Sequence, residues 1–126
     1  MLKALLIVGT GSFIGGVLRF ALGRFVQSLV HSVFPWGTFV VNILGCLIIG
    51  LLFGLTLKEG LVSTSWKLFL FAGICGGFTT FSTFSLENLS LLRDGYLFYF
   101  FLYSGLSVFL GLAATAGGYF MVKTLL

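Results

Sequence analysis

The chain is poor in charge: of 126 residues, three are acids, seven are Lys or Arg and one is His, so 8% are charged, against about 25% in a soluble domain. That scarcity excludes a water-soluble fold. The formal charge of +4 has no basic patch behind it. This excludes a nucleic-acid-binding surface and leaves the cations as helix-end anchors on lipid headgroups. The two cysteines, Cys46 and Cys75, lie in apolar runs without a CxxC spacing or a nearby His, so neither a disulfide scaffold nor a metal cluster is expected. They read as small packing residues. There is no Ser/His/Asp set, no pair of carboxylates and no phosphate-binding loop, and the chain is not expected to be an enzyme.

What remains is apolar residues, glycine and phenylalanine: 59% hydrophobic, 18 Gly and 16 Phe, with a mean hydropathy of +1.18. At about 20 apolar residues per crossing, four spans leave room for short loops and no soluble domain. The sequence predicts one all-α transmembrane domain over 1–126, with spans at about 4–30, 36–57, 67–92 and 96–122. The first run has a basic start at Lys3, but it is too long for a signal peptide and lacks a small-residue cleavage site. Gln27, Ser28, His31, Ser32 and Pro35 mark the first turn, with His31 interfacial and Trp36 placed as a belt aromatic. Lys58, Glu59, Gly60 and Ser63 to Ser65 make the second turn, with Trp66 and Lys67 as anchors, and Arg93, Asp94 and Gly95 make the third.

Short loops put both termini on one side with Lys3, Lys58, Lys67 and Lys123, while Arg24, Arg93 and nearby Arg19 fall toward the other. A bias this small orients a protein weakly, so both insertions are open, and an inverted second copy would supply a symmetry that transporters often build within one chain. Small residues recur at helical spacing: Gly11 with Gly15, Ser12 with Gly16, Cys46 with Gly50 and Gly54, and Ser107 with Gly111 and Thr115. Such stripes allow close helix approach. A bundle this small cannot also enclose a hydrated pore, so a dimer is expected.

Polar groups in a membrane are costly, and each requires a partner or a use. Arg19 and Arg24 either snorkel to the headgroups or, for Arg19, stand at the mouth of an anion pathway. Asn42, with Thr38 one turn earlier, makes an interhelical hydrogen bond or lines a conduit for a hydrogen-bond acceptor. From Gly73 to Ser85, glycines and hydroxyls make a regular helix poor, and a break in the third span at mid-membrane is expected. Such breaks persist where freed backbone lines a cavity or holds an ion. Carbonyls around Gly76 and Thr79 suit a hard cation such as Na⁺, and the N-terminus of the downstream half-helix suits an anion. Phe78, Phe81 and Phe84 recur every third residue between Thr80, Ser82 and Thr83. They form either a lipid-facing or core stripe or a set of positive ring edges for a small anion. Glu87 caps a helix end, pairs with an Arg or serves the ion path. Tyr103, Ser107, Gly111 and Thr115 share one stripe of the fourth span, as a polar track or as hydroxyls bonded back to their own helix.

At these residues the chain resembles the Fluc (CrcB) family of small fluoride channels. Gly15-Gly16-Val17-Leu18-Arg19-Phe20, Gly37-Thr38-Phe39-Val40-Val41-Asn42-Ile43-Leu44-Gly45 and Gly76 through Ser85 with Glu87 are similar to its three motifs. The resemblance implies a dual-topology antiparallel homodimer in the cell inner membrane, with two F⁻ pores lowering cytoplasmic fluoride by passive export. It implies Phe81 and Phe84 as pore phenylalanines, Asn42 as the polar pore residue, and Thr38, Tyr103 and Ser107 as a hydrogen-bonding track. Ser82, Thr83 and Glu87 would shape the ion path, Arg19 would stand in the vestibule, and the carbonyls of Gly76 and Thr79 from both subunits would hold a central Na⁺. Gly111 stands where some members carry a serine, which would shorten the track. A proton-coupled small multidrug transporter fits only in outline, because such a protein needs an acid in its first span and none is present. A non-conducting auxiliary subunit is the remaining alternative.

Overall fold

The computed structural model describes every residue except Glu59, so that part of the second turn lies outside the described residues. Helix α1 runs Leu2–Leu29 and α2 runs Trp36–Thr56. The third span is composite: α3 (Thr64–Lys67), a π-helical stretch (Leu68–Cys75), α4 (Gly76–Phe78), then α5 (Phe81–Arg93). Helix α6 runs Leu97–Leu125. The 28 residues of α1 rise about 42 Å at 1.5 Å each, more than the hydrocarbon core of about 30 Å. Four helical segments, Leu2–Leu29, Trp36–Thr56, Thr64–Arg93 and Leu97–Leu125, are long and apolar enough to cross a bilayer. Their outer faces are bare phenylalanine and leucine, with Phe13, Phe98, Phe109 and Leu112 all exposed. Water would not tolerate so continuous an apolar surface, and the protein is a multi-pass membrane protein.

Local chemistry explains the turns. Gln27, on the last turn of α1, ties the first loop together. Its Oε1 accepts the Gly37 N–H at 3.1 Å, one of the free donors at the start of α2, and its Nε2 donates to the Val30 and Ser32 carbonyls. The third span starts earlier than the sequence suggests, because Ser63 caps α3 by accepting the Trp66 N–H at 3.3 Å. Trp66 and Lys67 therefore lie inside the helix. At the end of α5, Gly95 takes φ of +83°, and the Tyr96 and Gly95 N–H groups reach back to the Leu91 and Leu92 carbonyls. That is a Schellman closure, which needs the left-handed residue that glycine supplies.

Two glycine seams hold the bundle. On one, α1 meets the first half of the third span. A Cβ on Gly11 would stand 2.7 Å from the Phe69 carbonyl and 2.8 Å from Gly73 Cα, and one on Gly15 would strike the Ile74 carbonyl. A Cβ on Gly77 would lie 2.6 Å from the Ser12 carbonyl. On the other, α2 meets α6: a Cβ on Gly50 would strike the Thr115 carbonyl, one on Gly118 would lie 2.6 Å from the Leu47 carbonyl, and one on Gly54 would lie 2.9 Å from Val122 Cβ. Gly16, though on the small-residue stripe, has open space around it. The third span changes neighbours along its length. Before Thr79 it packs on α1; α5 packs on α6. There Phe34, Leu91 and Tyr103 form an aromatic-rich core with Phe39, Phe84, Tyr99 and Phe100 around it.

Candidate functional site

Between α4 and α5 the backbone leaves the helix. Thr79 has φ −89° and ψ 153°, Thr80 has φ −147° and ψ 124°, and both are extended. Asn42 makes this possible. Its Oδ1 accepts the Thr80 N–H at 3.0 Å and its Nδ2 donates to the Thr80 carbonyl at 3.2 Å, so one side chain of α2 satisfies both polar groups of one residue. Thr80 then caps α5, its Oγ1 accepting the Thr83 N–H at 3.3 Å and donating to Thr83 Oγ1 at 3.2 Å, with Ser82 Oγ 3.4 Å away. Thr79 Oγ1 donates back to the Cys75 carbonyl at 2.9 Å. Arg19 reaches the same segment from α1, its Nε donating to the Gly77 carbonyl at 3.2 Å.

The break also takes away the usual donors of the Gly76 and Thr79 carbonyls. The Thr80 N–H is taken by Asn42 and the Thr83 N–H by Thr80 Oγ1. These two N–H groups are the ones that would close onto the carbonyls of Gly76 and Thr79 in a regular helix, and both are spent elsewhere. Neutral oxygens of this kind suit a hard cation. No group of three or more His, Cys, Asp or Glu is placed to hold a metal among the described residues.

Beside the break lies a cavity of about 340 Å³ whose lining includes Asn42, Thr79, Thr80, Phe81, Phe84 and Ser107. Phe81 and Phe84 have centroids 5.8 Å apart. The Ser107 hydroxyl is buried and has no hydrogen-bond partner among the described residues, and a buried unpaired hydroxyl calls for an explanation in terms of water, an ion or function. Below this chamber, Phe84 stands 5.0 Å from the ring of Tyr103, whose side chain is completely buried. The Tyr103 hydroxyl donates to Glu87 Oε1 at 3.0 Å, and Thr38 Oγ1 donates to Glu87 Oε2 at 3.1 Å. Glu87 therefore has neither a helix-capping role nor an Arg partner. It also borders a second cavity of about 280 Å³, with Gln27, Ser90, Asp94 and Tyr96 on its walls. Contacts lead from the cavity with its Ser107 hydroxyl and Asn42 amide to the two phenylalanines, then to Tyr103, Glu87 and the second cavity.

The structure brings Asn42, Phe81, Phe84 and Ser107 around one cavity, and Thr38, Tyr103 and Glu87 into one cluster beside it. Ser82 and Thr83 lie on the first turn of α5 with their hydroxyls toward Thr80 rather than on the cavity wall, and Arg19 lies on the α1 side of the break. Thr115 leaves the track, because its hydroxyl donates across the seam to the Cys46 carbonyl at 3.0 Å. Sequence reasoning missed Asn88 and Ser104. Asn88 is 7% exposed, accepts the Ser104 hydroxyl on Oδ1 at 2.8 Å, and donates from Nδ2 to the Phe84 carbonyl at 3.0 Å. The signal was available in the spacing, since Asn88 and Ser104 follow directly on Glu87 and Tyr103.

Residues 6–119 match the profile of a family described as CrcB-like protein, Camphor Resistance (CrcB). Three curated relatives carry the name fluoride-specific ion channel FluC. The protein of Flavobacterium psychrophilum is 46% identical over 124 residues, covering 98% of this chain and all of the relative. That of Azobacteroides pseudotrichonymphae is 44% identical, covering 98% of each. That of Leptospira interrogans is 37% identical, covering 96% of this chain and 95% of the relative.

Proposed function

The chain belongs to the CrcB-like family, and from that membership we propose how it works as a fluoride-selective ion channel. It is a channel and not an enzyme. Near-full-length similarity to proteins named fluoride-specific channels carries the function. The observation that supports the pathway is the cavity lined by Asn42, Phe81, Phe84 and Ser107, the last of which carries a buried hydroxyl with no partner among the described residues.

Fluoride leaving water must exchange its hydration shell for other donors. Ser107 has an uncommitted hydroxyl, and Asn42 has two amide hydrogens, of which one is on the Thr80 carbonyl. Phe81 and Phe84 add ring edges, whose positive quadrupole favours a small, hard anion over a larger one. The path continues along Tyr103 and Thr38 to Glu87 and the second chamber. Arg19 sets a positive charge at the break, and Ser82 and Thr83 shape its first turn. Fluoride moves down its gradient without covalent chemistry, so cells with fluoride accumulated inside lose it through the inner membrane.

The working unit is an antiparallel homodimer with two pores. Phe81 is 77% exposed in a single chain, and a pathway wall bare on one side needs a second surface. The near balance of lysines and arginines between the two ends permits both insertions. The break at Thr79 and Thr80 then lies at mid-membrane. The carbonyls of Gly76 and Thr79, whose regular helical donors are spent elsewhere, would hold a Na⁺ between the two copies, supplying a fixed positive charge that ties the interface.

The test is passive efflux from liposomes holding the purified protein, followed with fluoride- and chloride-selective electrodes in Na⁺ and in Na⁺-free buffer. Fast F⁻ efflux without Cl⁻ efflux is expected, slowed when Na⁺ is removed. A folded preparation that moves no F⁻ would overturn the reading.

A further inference from the structure

The half-helix α5 carries both Phe81 and Phe84, yet it is thinly held. The glycine seams that lock the rest of the bundle end at Thr79, and α5 rests on α6 through a short line of side chains. Two of these are polar pairs in register: Tyr103 with Glu87, and Ser104 with Asn88. The Asn88 amide is engaged on both of its polar atoms, its Oδ1 accepting the Ser104 hydroxyl at 2.8 Å and its Nδ2 giving one hydrogen to the carbonyl of Phe84 at 3.0 Å. Asn88 is buried, where removing one partner strands a polar group. A chain of bonds thus runs from α6 to the backbone of a phenylalanine that walls the cavity.

We propose that Asn88 and Ser104 are positioning residues that fix the height and rotation of α5 on α6, and thereby the aperture that Phe84 makes with Tyr103. Neither lines the cavity beside the break, so their effect on the ion is exerted through α5. The inference rests on the fluoride-channel reading. Apolar packing of Leu91 and Phe84 on Phe34 and Tyr103 holds α5 to the bundle but does not fix its rotation as a directional hydrogen bond does. Loss of the bond therefore lets α5 turn, and the Phe84 ring, 5.0 Å from Tyr103, turns with it. Selectivity is then a property of this latch as well as of the residues in the path.

Ser104→Ala separates this role from plain stabilisation when set beside Thr115→Val, which removes a hydroxyl bond of similar length from the α2–α6 seam and leaves the contacts of α5 untouched. Flux per folded dimer and the F⁻/Cl⁻ permeability ratio are measured in liposomes and planar bilayers, with thermal unfolding in parallel. Both variants should lose similar stability. Ser104→Ala should lower F⁻ flux about fivefold, equivalent to about 1 kcal/mol of barrier, and reduce the permeability ratio, while Thr115→Val keeps both and Ser104→Thr restores both. If Ser104→Ala fails to fold, Asn88→Leu combined with Ser104→Ala removes both partners without stranding either and should show the same loss of ratio. Unchanged flux and ratio in these latch variants, or equal losses in Thr115→Val, would overturn the positioning role. Absence of F⁻ flux in the unmodified protein would instead overturn the channel reading.

Discussion

The two halves of the third span are held by different forces. The half before Thr79 lies backbone to backbone on α1, where Gly11, Gly15, Gly73 and Gly77 leave no space for a methyl group. The half after Thr80 touches its neighbours through side chains: Asn42 and Thr38 from α2, Tyr103 and Ser104 from α6. Close packing gives rigidity, because dispersion contacts are lost outright when surfaces separate. Hydrogen bonds between side chains give placement and leave space, and a cavity lies on this second half. One span thus serves as both scaffold and working surface, with the change at two extended threonines.

The contrast can be broken most forcefully from the scaffold side. Gly15→Ala places a methyl on the Ile74 carbonyl and 2.9 Å from the Phe78 nitrogen. It should cost about 3 kcal/mol or more, measured as loss of folded protein on size exclusion and by thermal unfolding. On the working side, Asn42→Ala strands the Thr80 N–H and carbonyl and should cost about 2 kcal/mol. It should also cut F⁻ efflux by at least about tenfold; wild-type efflux would remove Asn42 from the path. Phe81→Ile keeps an apolar side chain at a position 77% exposed in a single chain but loses the ring edge, so the unfolding midpoint should hold within about 1 kcal/mol while efflux stops. Ser107→Ala should have the smallest effect on stability, zero or a slight gain, since the hydroxyl it removes is already unpaired. Efflux should still fall, and a variant that conducts normally would show that the hydroxyl does not serve the ion. If Gly15→Ala and Phe81→Ile changed stability and flux in the same proportion, the division of labour within the span would fail.

Much of this was legible in the residues. Long apolar runs separated by turn residues and anchors give four spans, since a bilayer demands length and hydrophobicity above all. Pairs of small residues four apart pointed to the close seams, and Gly11 with Gly15 lies on one. The density of glycine and hydroxyl from 73 to 85 signalled costly helix, and the phenylalanine spacing marked the ring pair. The partner of Asn42 was not legible. It is Thr80, 38 residues away, so the asparagine bonds between spans, and its place on the cavity wall is what supports the proposed role in the path. Asn88 escaped notice for the same reason, because a polar residue near the end of a helix reads as interfacial until its neighbour across the bundle is known.

The sequence by itself determined that this chain lies in a membrane, how many times it can cross, where regular helix becomes costly and, through its motifs, which family it belongs to. These properties depend on local composition and spacing, and the solvent reads them residue by residue. Only the tertiary structure decided which hydroxyls are spent and which are free. Thr38 and Tyr103 donate hydrogen bonds to Glu87, Thr115 donates to the Cys46 carbonyl, and Ser107 has no partner among the described residues. A hydrogen bond requires two groups within about 3 Å, and in a folded chain that condition is met across helices whose separation no local pattern records.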